Sequence, residues 1–154
     1  MSGAKTYQIL MVDDDRKILL LLQNLLEDNG YAVRTAERGK AALAAVLADR
    51  PDLILLDILL PDMDGMEVCG QLRDNPVTRN IPVIFLTAHD TTARIEQAMN
   101  VGASDILGKP VDTGDLLVRI RAMLETTHIL DEHQRLREYI TRIKVLRSQA
   151  EELY

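Results

Sequence analysis

Residues Tyr7 to Val12 form an apolar-rich run that stops abruptly at Asp13-Asp14-Asp15. Ile18, Leu19, Leu22, Leu25 and Leu26 then recur at helical spacing until Asn29-Gly30. This pattern predicts a strand, an acidic turn and a helix. Tyr31 to Thr35 is short and β-leaning, and Gly39 to Asp49 is Ala-rich, with apolar residues at 43, 46 and 47 and a stop at Pro51. A second strand and helix follow from these features. Leu53 to Leu56 is wholly apolar and ends on Asp57, as expected of a strand covered by helices on both faces.

Pro61 and Gly65 punctuate a loop, and Gly65 to Asp74 suits a short helix. Pro82 to Leu86 reads as a fourth strand ending at Thr87, Thr91 to Asn100 as a helix closed by Gly102, and Asp105 to Gly108 as a weak fifth strand before Lys109-Pro110. From Asp112 onward there is no Pro and the only Gly is Gly114, so one long fifth helix is expected, with a bend allowed at Thr126-Thr127. Five strands alternating with five helices is the pattern of an open parallel α/β sheet, Rossmann-like or flavodoxin-like. The first strand-to-helix turn carries carboxylates where a dinucleotide pyrophosphate needs glycines and bare amides. No phosphate-binding Gly-x-x-x-x-Gly-Lys-Ser/Thr run exists either.

Composition narrows the chemistry. The chain has 154 residues, 47% apolar and 27% charged, which suits one globular domain with an appendage of about thirty residues. No apolar run approaches the ~20 residues needed to span a bilayer, and the start Met-Ser-Gly-Ala-Lys has no apolar signal segment behind it; a cytoplasmic protein without a membrane role is expected. One cysteine, Cys69, and three histidines exclude disulfide scaffolds and zinc ribbons. The net charge of −6 argues against nucleic-acid binding by this chain. Aromatics are few, so Leu, Ile, Val and Ala must build the core.

In open α/β sheets the functional crevice lies beyond the carboxyl ends of the strands. The expected strand ends bring Asp13, Asp14, Asp57, Thr87 and Lys109 to one edge. Clustered carboxylates repel one another, and a hard divalent cation such as Mg²⁺ relieves this. An Asp after a strand is often only a helix cap, and Asp15 fits that role. Capping does not account for Asp57, because no helix is expected before Gly65. A carboxylate beside Mg²⁺, an ammonium and a hydroxyl is what phosphoryl transfer to Asp requires. The small Ala88 leaves room for the phosphoryl group.

Four motifs resemble the response-regulator receiver domains of two-component signalling. They are Ile9 to Asp14, Leu55 to Gly65 with Leu-Leu-Asp-Ile-Leu-Leu-Pro-Asp-Met-Asp-Gly, Pro82 to Ala88, and Gly102 to Asp105 leading to Lys109-Pro110. The resemblance implies a flavodoxin-like doubly wound sheet of order 2-1-3-4-5, with receiver domain 1–125 and helical extension 126–154. It implies that Asp57 accepts a phosphoryl group from a partner histidine kinase or phosphotransfer protein, that Asp13, Asp14, Asp57 and the Leu59 carbonyl hold Mg²⁺, and that Thr87 and Lys109 meet the phosphoryl oxygens. The Lys109-Pro110 peptide is expected to be cis. Catalysis is then confined to the chain's own phosphorylation and dephosphorylation, so it is not an enzyme on other substrates. Ile106 departs from the family's aromatic switch residue, which moves together with the Thr at position 87, and Val111 replaces a frequent aromatic. Leu59 and His89 fall where members of the resembled family tune dephosphorylation.

Beyond residue 125 the acids and bases nearly balance, while Ile129, Leu136, Tyr139, Ile143, Leu146, Ala150 and Leu153 fall at spacings of three and four, interrupted by Glu132. A coiled-coil homodimer helix that passes the receiver's state to an output module outside the chain is expected; the competing reading is a helix folded back on its own domain. Two other functions compete with the phosphorylated switch. One is a phosphorylation-independent dimerisation module, kept open by Ile106. The other is a Mg²⁺-dependent phosphohydrolase, disfavoured because Leu59 stands where a second Asp is commonly needed.

Overall fold

The computed structural model describes residues 5–88 and 91–152. Its elements are β1 (Gln8–Val12), α1 (Arg16–Asp28), β2 (Ala32–Ala36), α2 (Gly39–Ala48), β3 (Leu53–Asp57), α3 (Gly65–Asp74), β4 (Val83–Thr87), α4 (Thr92–Asn100), β5 (Asp105–Gly108), α5 (Thr113–Thr126) and α6 (Glu132–Glu152). They fall into two compact units, Met1–Pro110 and Val111–Tyr154.

The first unit holds a five-stranded parallel sheet of order β2-β1-β3-β4-β5, the flavodoxin-like topology. All of β3 and β4 is buried, as their unbroken apolar runs require, whereas edge strand β2 is largely open. Alternate residues serve opposite faces. Leu10, Val12, Ile54, Leu56, Val83 and Phe85 join Val46 of α2 and Met66, Val68 and Leu72 of α3 in one core. Helix α1 packs against β1 and β2 and buries Leu19, Leu22 and Leu26. Asp15 caps α1 as expected, accepting from the Lys17 amide at 2.9 Å. Gly30, at φ 91°, closes that helix where a side chain would be strained.

The second unit corrects the expected single long helix, so that six helices stand among the described residues. Helix α5 ends at Thr126, and α6 packs against it as the other arm of an αα-hairpin. The reason is local. The Thr126 and Thr127 hydroxyls donate back to the Ala122 carbonyl (2.8 Å) and the Leu124 carbonyl (3.3 Å), side-chain bonds of the kind that weaken and bend a helix. Asp131 then starts a new helix, accepting from the Gln134 amide at 2.7 Å, and Arg135 ties back to the Ile129 carbonyl at 2.7 Å. Tyr139, Ile143 and Leu146, the centre of the apolar stripe, are buried, while Leu136 and Ile140 remain exposed. Arg142 pairs with Glu125 at 3.2 Å and Arg147 with Asp115, so the two helices run antiparallel. Leu153, the last member of the stripe, lies outside the described residues.

Candidate functional site

Strand register builds the site. Val12 pairs with Leu56, Asp57 with Leu86, and Thr87 with Gly108, so Asp13, Asp57, Thr87 and Lys109 all arrive at the carboxyl edge. Asp13, Asp57 and Thr87 are buried, with 4%, 8% and 1% exposure, and Asp14 faces solvent. Carboxylate oxygens of Asp13, Asp14 and Asp57 lie within 4.8 Å of one another.

Electrostatics follow from that crowding. The Lys109 ammonium reaches Asp13 Oδ2 at 2.7 Å and Asp57 Oδ2 at 3.3 Å. Burial pushes the Asp57 carboxyl above its ordinary value, the Asp13 charge adds to this, and Lys109 only partly opposes it. Burial alone would lower the Lys109 pKa, but the hydrogen bond to Asp13 and the charges of both carboxylates prevail and hold it above the usual lysine value. One ammonium thus faces three carboxylates and cannot neutralise them. The donor set is all hard oxygen, which suits Mg²⁺ and not a soft metal. Octahedral ligands at about 2.0–2.1 Å from Mg²⁺ lie roughly 3–4 Å apart. The observed spread therefore fits the ion after a small contraction.

The segment after Asp57 is equally constrained. The Leu59 amide reaches Asp57 Oδ1 at 3.4 Å, Leu59 and Asp64 form an antiparallel bridge, and the Gly65 amide donates to the Ile58 carbonyl at 2.6 Å. A Cβ on Gly65 would lie 2.2 Å from the Asp57 carbonyl oxygen, so only glycine permits this approach. The Lys109 amide donates to the Thr87 carbonyl at 2.7 Å, and the Lys109-Pro110 peptide is cis.

Of the residues singled out in the sequence, Asp13, Asp14, Asp57 and Lys109 form one cluster, and Thr87 ends the neighbouring strand. Leu59 is 46% exposed two residues beyond Asp57. Ile106 stands apart, pairing with Phe85 and packing against the core. His89 lies outside the described residues. Sequence reasoning passed over Asp62, whose carboxylate accepts from the Gly39 amide at 2.7 Å and the Lys40 amide at 2.9 Å. The available signal was Arg38, a poor cap immediately before α2 that leaves the helix needing an acceptor from elsewhere.

Comparison with known proteins agrees with this geometry. The model of the response regulator receiver domain family matches residues 9–121. The chain is 43% identical over 125 residues to the response regulator PleD of Caulobacter vibrioides, covering 81% of this chain and 28% of that protein. It is 42% identical over 120 residues to the response regulator MprA of Mycolicibacterium vanbaalenii, covering 78% and 51%. The chain thus spans about half or less of the length of these relatives. A putative response regulator from Chloroflexus aurantiacus superposes with a TM-score of 0.76 at 34% identity, over 79% of this chain and 99% of that one. A CheY-like receiver domain protein from Methanospirillum hungatei gives 0.76 at 31% identity, over 80% and 98%. With the family model covering most of its length, this chain belongs to the response regulator receiver domain family.

Proposed function

We propose that Asp57 is the phosphoacceptor of a Mg²⁺-dependent switch, and that a sensor histidine kinase or phosphotransfer protein is its donor. One observation carries this reading: a buried Asp57 carboxylate lies 3.3 Å from the Lys109 ammonium and shares its pocket with Asp13 and Asp14. An Asp57 oxygen attacks the phosphorus of the donor's phosphohistidine, a P–O bond forms as the P–N bond breaks, and the imidazole leaves. Water later attacks the same phosphorus, returning the carboxylate and releasing inorganic phosphate.

Asp13, Asp14, Asp57 and the Leu59 carbonyl would hold Mg²⁺, which supplies a divalent charge against the phosphoryl oxygens when bound. Lys109 places its ammonium beside the same oxygens, and the Thr87 hydroxyl donates to one of them. Ile106 repacks as Thr87 moves. The chain catalyses its own phosphorylation and dephosphorylation and nothing else. Incubation with acetyl phosphate and Mg²⁺ tests this. Wild type should gain a hydroxylamine-sensitive phosphoryl group that EDTA prevents and Asp57→Ala lacks; equal labelling of Asp57→Ala contradicts the assignment.

A homodimer through α6, controlling an output module, is the second part of the proposal. Its stripe of Tyr139, Ile143 and Leu146 is the surface buried in the hairpin, so pairing between chains requires α6 to leave α5. Closure within one chain acts at an effective concentration on the order of millimolar, so phosphorylation must bias release for the dimer to form at micromolar protein. The alternative, a dimerisation module indifferent to phosphate, is favoured only by the aliphatic Ile106. It predicts labelling at Asp57 with no change in mass by light scattering.

A further inference from the structure

The loop from Ile58 to Asp64 is a closed excursion. Its neck is fastened by the Gly65 amide on the Ile58 carbonyl at 2.6 Å and by the Leu59–Asp64 bridge. Its tip, Leu60 to Met63, reaches across to the first turn of α2. There Asp62 uses both carboxylate oxygens, Oδ1 on the Gly39 amide at 2.7 Å and Oδ2 on the Lys40 amide at 2.9 Å. Met63 lies over Gly39, where a Cβ would come within 2.2 Å of the Met63 Cγ. On the other side of the loop, Asp64 makes a longer pair with Arg94 of α4 at 3.8 Å.

The contact does two things at once. Helix α2 begins at Arg38, whose side chain makes no capping hydrogen bond, so Asp62 supplies the acceptor and the negative charge that the helix start lacks. In return, two α2 amides hold the loop tip that follows Leu59, which itself sits at the neck. A bidentate, charge-assisted contact fixes orientation as well as distance.

We propose that Asp62 is a positioning residue for the metal site: by pinning the loop tip to the start of α2, it sets the Leu59 carbonyl for Mg²⁺. The inference rests on reading Leu59 and the three carboxylates as a Mg²⁺ site. Without Asp62 the tip keeps the packing of Leu60 and Met63 on the core but loses its polar anchor, so it can shift about the Ile58–Gly65 neck. A carbonyl that must be fixed before binding costs affinity for an ion as geometrically strict as Mg²⁺.

The test is calorimetric titration of the full chain with Mg²⁺ alone, without phosphodonor. Asp62→Ala should weaken binding about fivefold or more, and Asp62→Asn, which keeps one acceptor, should fall between. A purely structural cap is separated by the double variant Arg38→Ser/Asp62→Ala, which caps α2 from its own N-cap but leaves the loop unpinned. Mg²⁺ affinity that stays weak while thermal stability recovers supports the proposal. Affinity that returns to wild type with the cap, or an Asp62→Ala protein that binds Mg²⁺ normally, overturns it. A wild-type chain that binds no Mg²⁺ also overturns it, through the metal-site reading and not through Asp62.

Discussion

At the scale of single residues, the site is held in unfavourable charge by design of its strands. An acid whose pKa is raised by burial binds its proton more tightly folded than unfolded, so Asp57 lowers stability at neutral pH. That penalty fades as pH falls through the folded pKa toward the ordinary 3.8. Asp57→Asn should therefore melt higher than wild type in Mg²⁺-free buffer at pH 7, with the gap closing toward pH 4; calorimetric scans across that range check it. Lys109 carries the opposite sign. Its raised pKa contributes stability that is complete below 10.5 and is lost as pH rises through the folded value. Lys109→Met leaves the Asp13 and Asp57 charges uncompensated and should cost about 2 kcal/mol in urea unfolding without Mg²⁺. Gly65→Ala should cost about 2–3 kcal/mol, because its Cβ meets backbone and not a movable side chain. A Gly65→Ala protein with unchanged unfolding midpoint would contradict the close approach described for that position.

At the scale of elements, the hairpin of α5 and α6 rests mainly on its apolar stripe. Ile143→Ala removes buried surface and should loosen α6 by about 2–3 kcal/mol, seen as faster amide exchange along that helix, whereas Ile140→Ala on the exposed side should change little. Arg147→Ala should cost less than about 1 kcal/mol, because the guanidinium is half exposed. The same contrast explains what was legible in the sequence. Leu53 to Leu56 and the Asp13 and Asp57 strand ends could be read because a buried parallel strand needs an unbroken apolar run and an abrupt polar stop. The bend at Thr126-Thr127 was legible as a place, but not as a full reversal, because Thr, His and Ile weaken a helix without forbidding it, and Asp131 becomes a cap only once the chain has turned. Asp62 was hidden for a different reason: its partners Gly39 and Lys40 lie on another element, and the poor cap Arg38 shows that α2 needs an acceptor without showing which residue supplies it.

At the scale of the whole molecule, the proposed phosphoacceptor Asp57 belongs to the first compact unit, and the apolar stripe of α6, buried against α5, belongs to the second. Light scattering with and without acetyl phosphate should show a rise in mass on phosphorylation, and a monomer under both conditions at high concentration would remove the dimer from the account. Borohydride reduction of the acetyl-phosphate-treated protein converts an aspartyl phosphate to homoserine, and peptide mass spectrometry then locates it. Homoserine at position 57 alone, dependent on Mg²⁺, is the predicted result. Homoserine at position 13 or 14, or phosphoryl gain with none at 57, would contradict it.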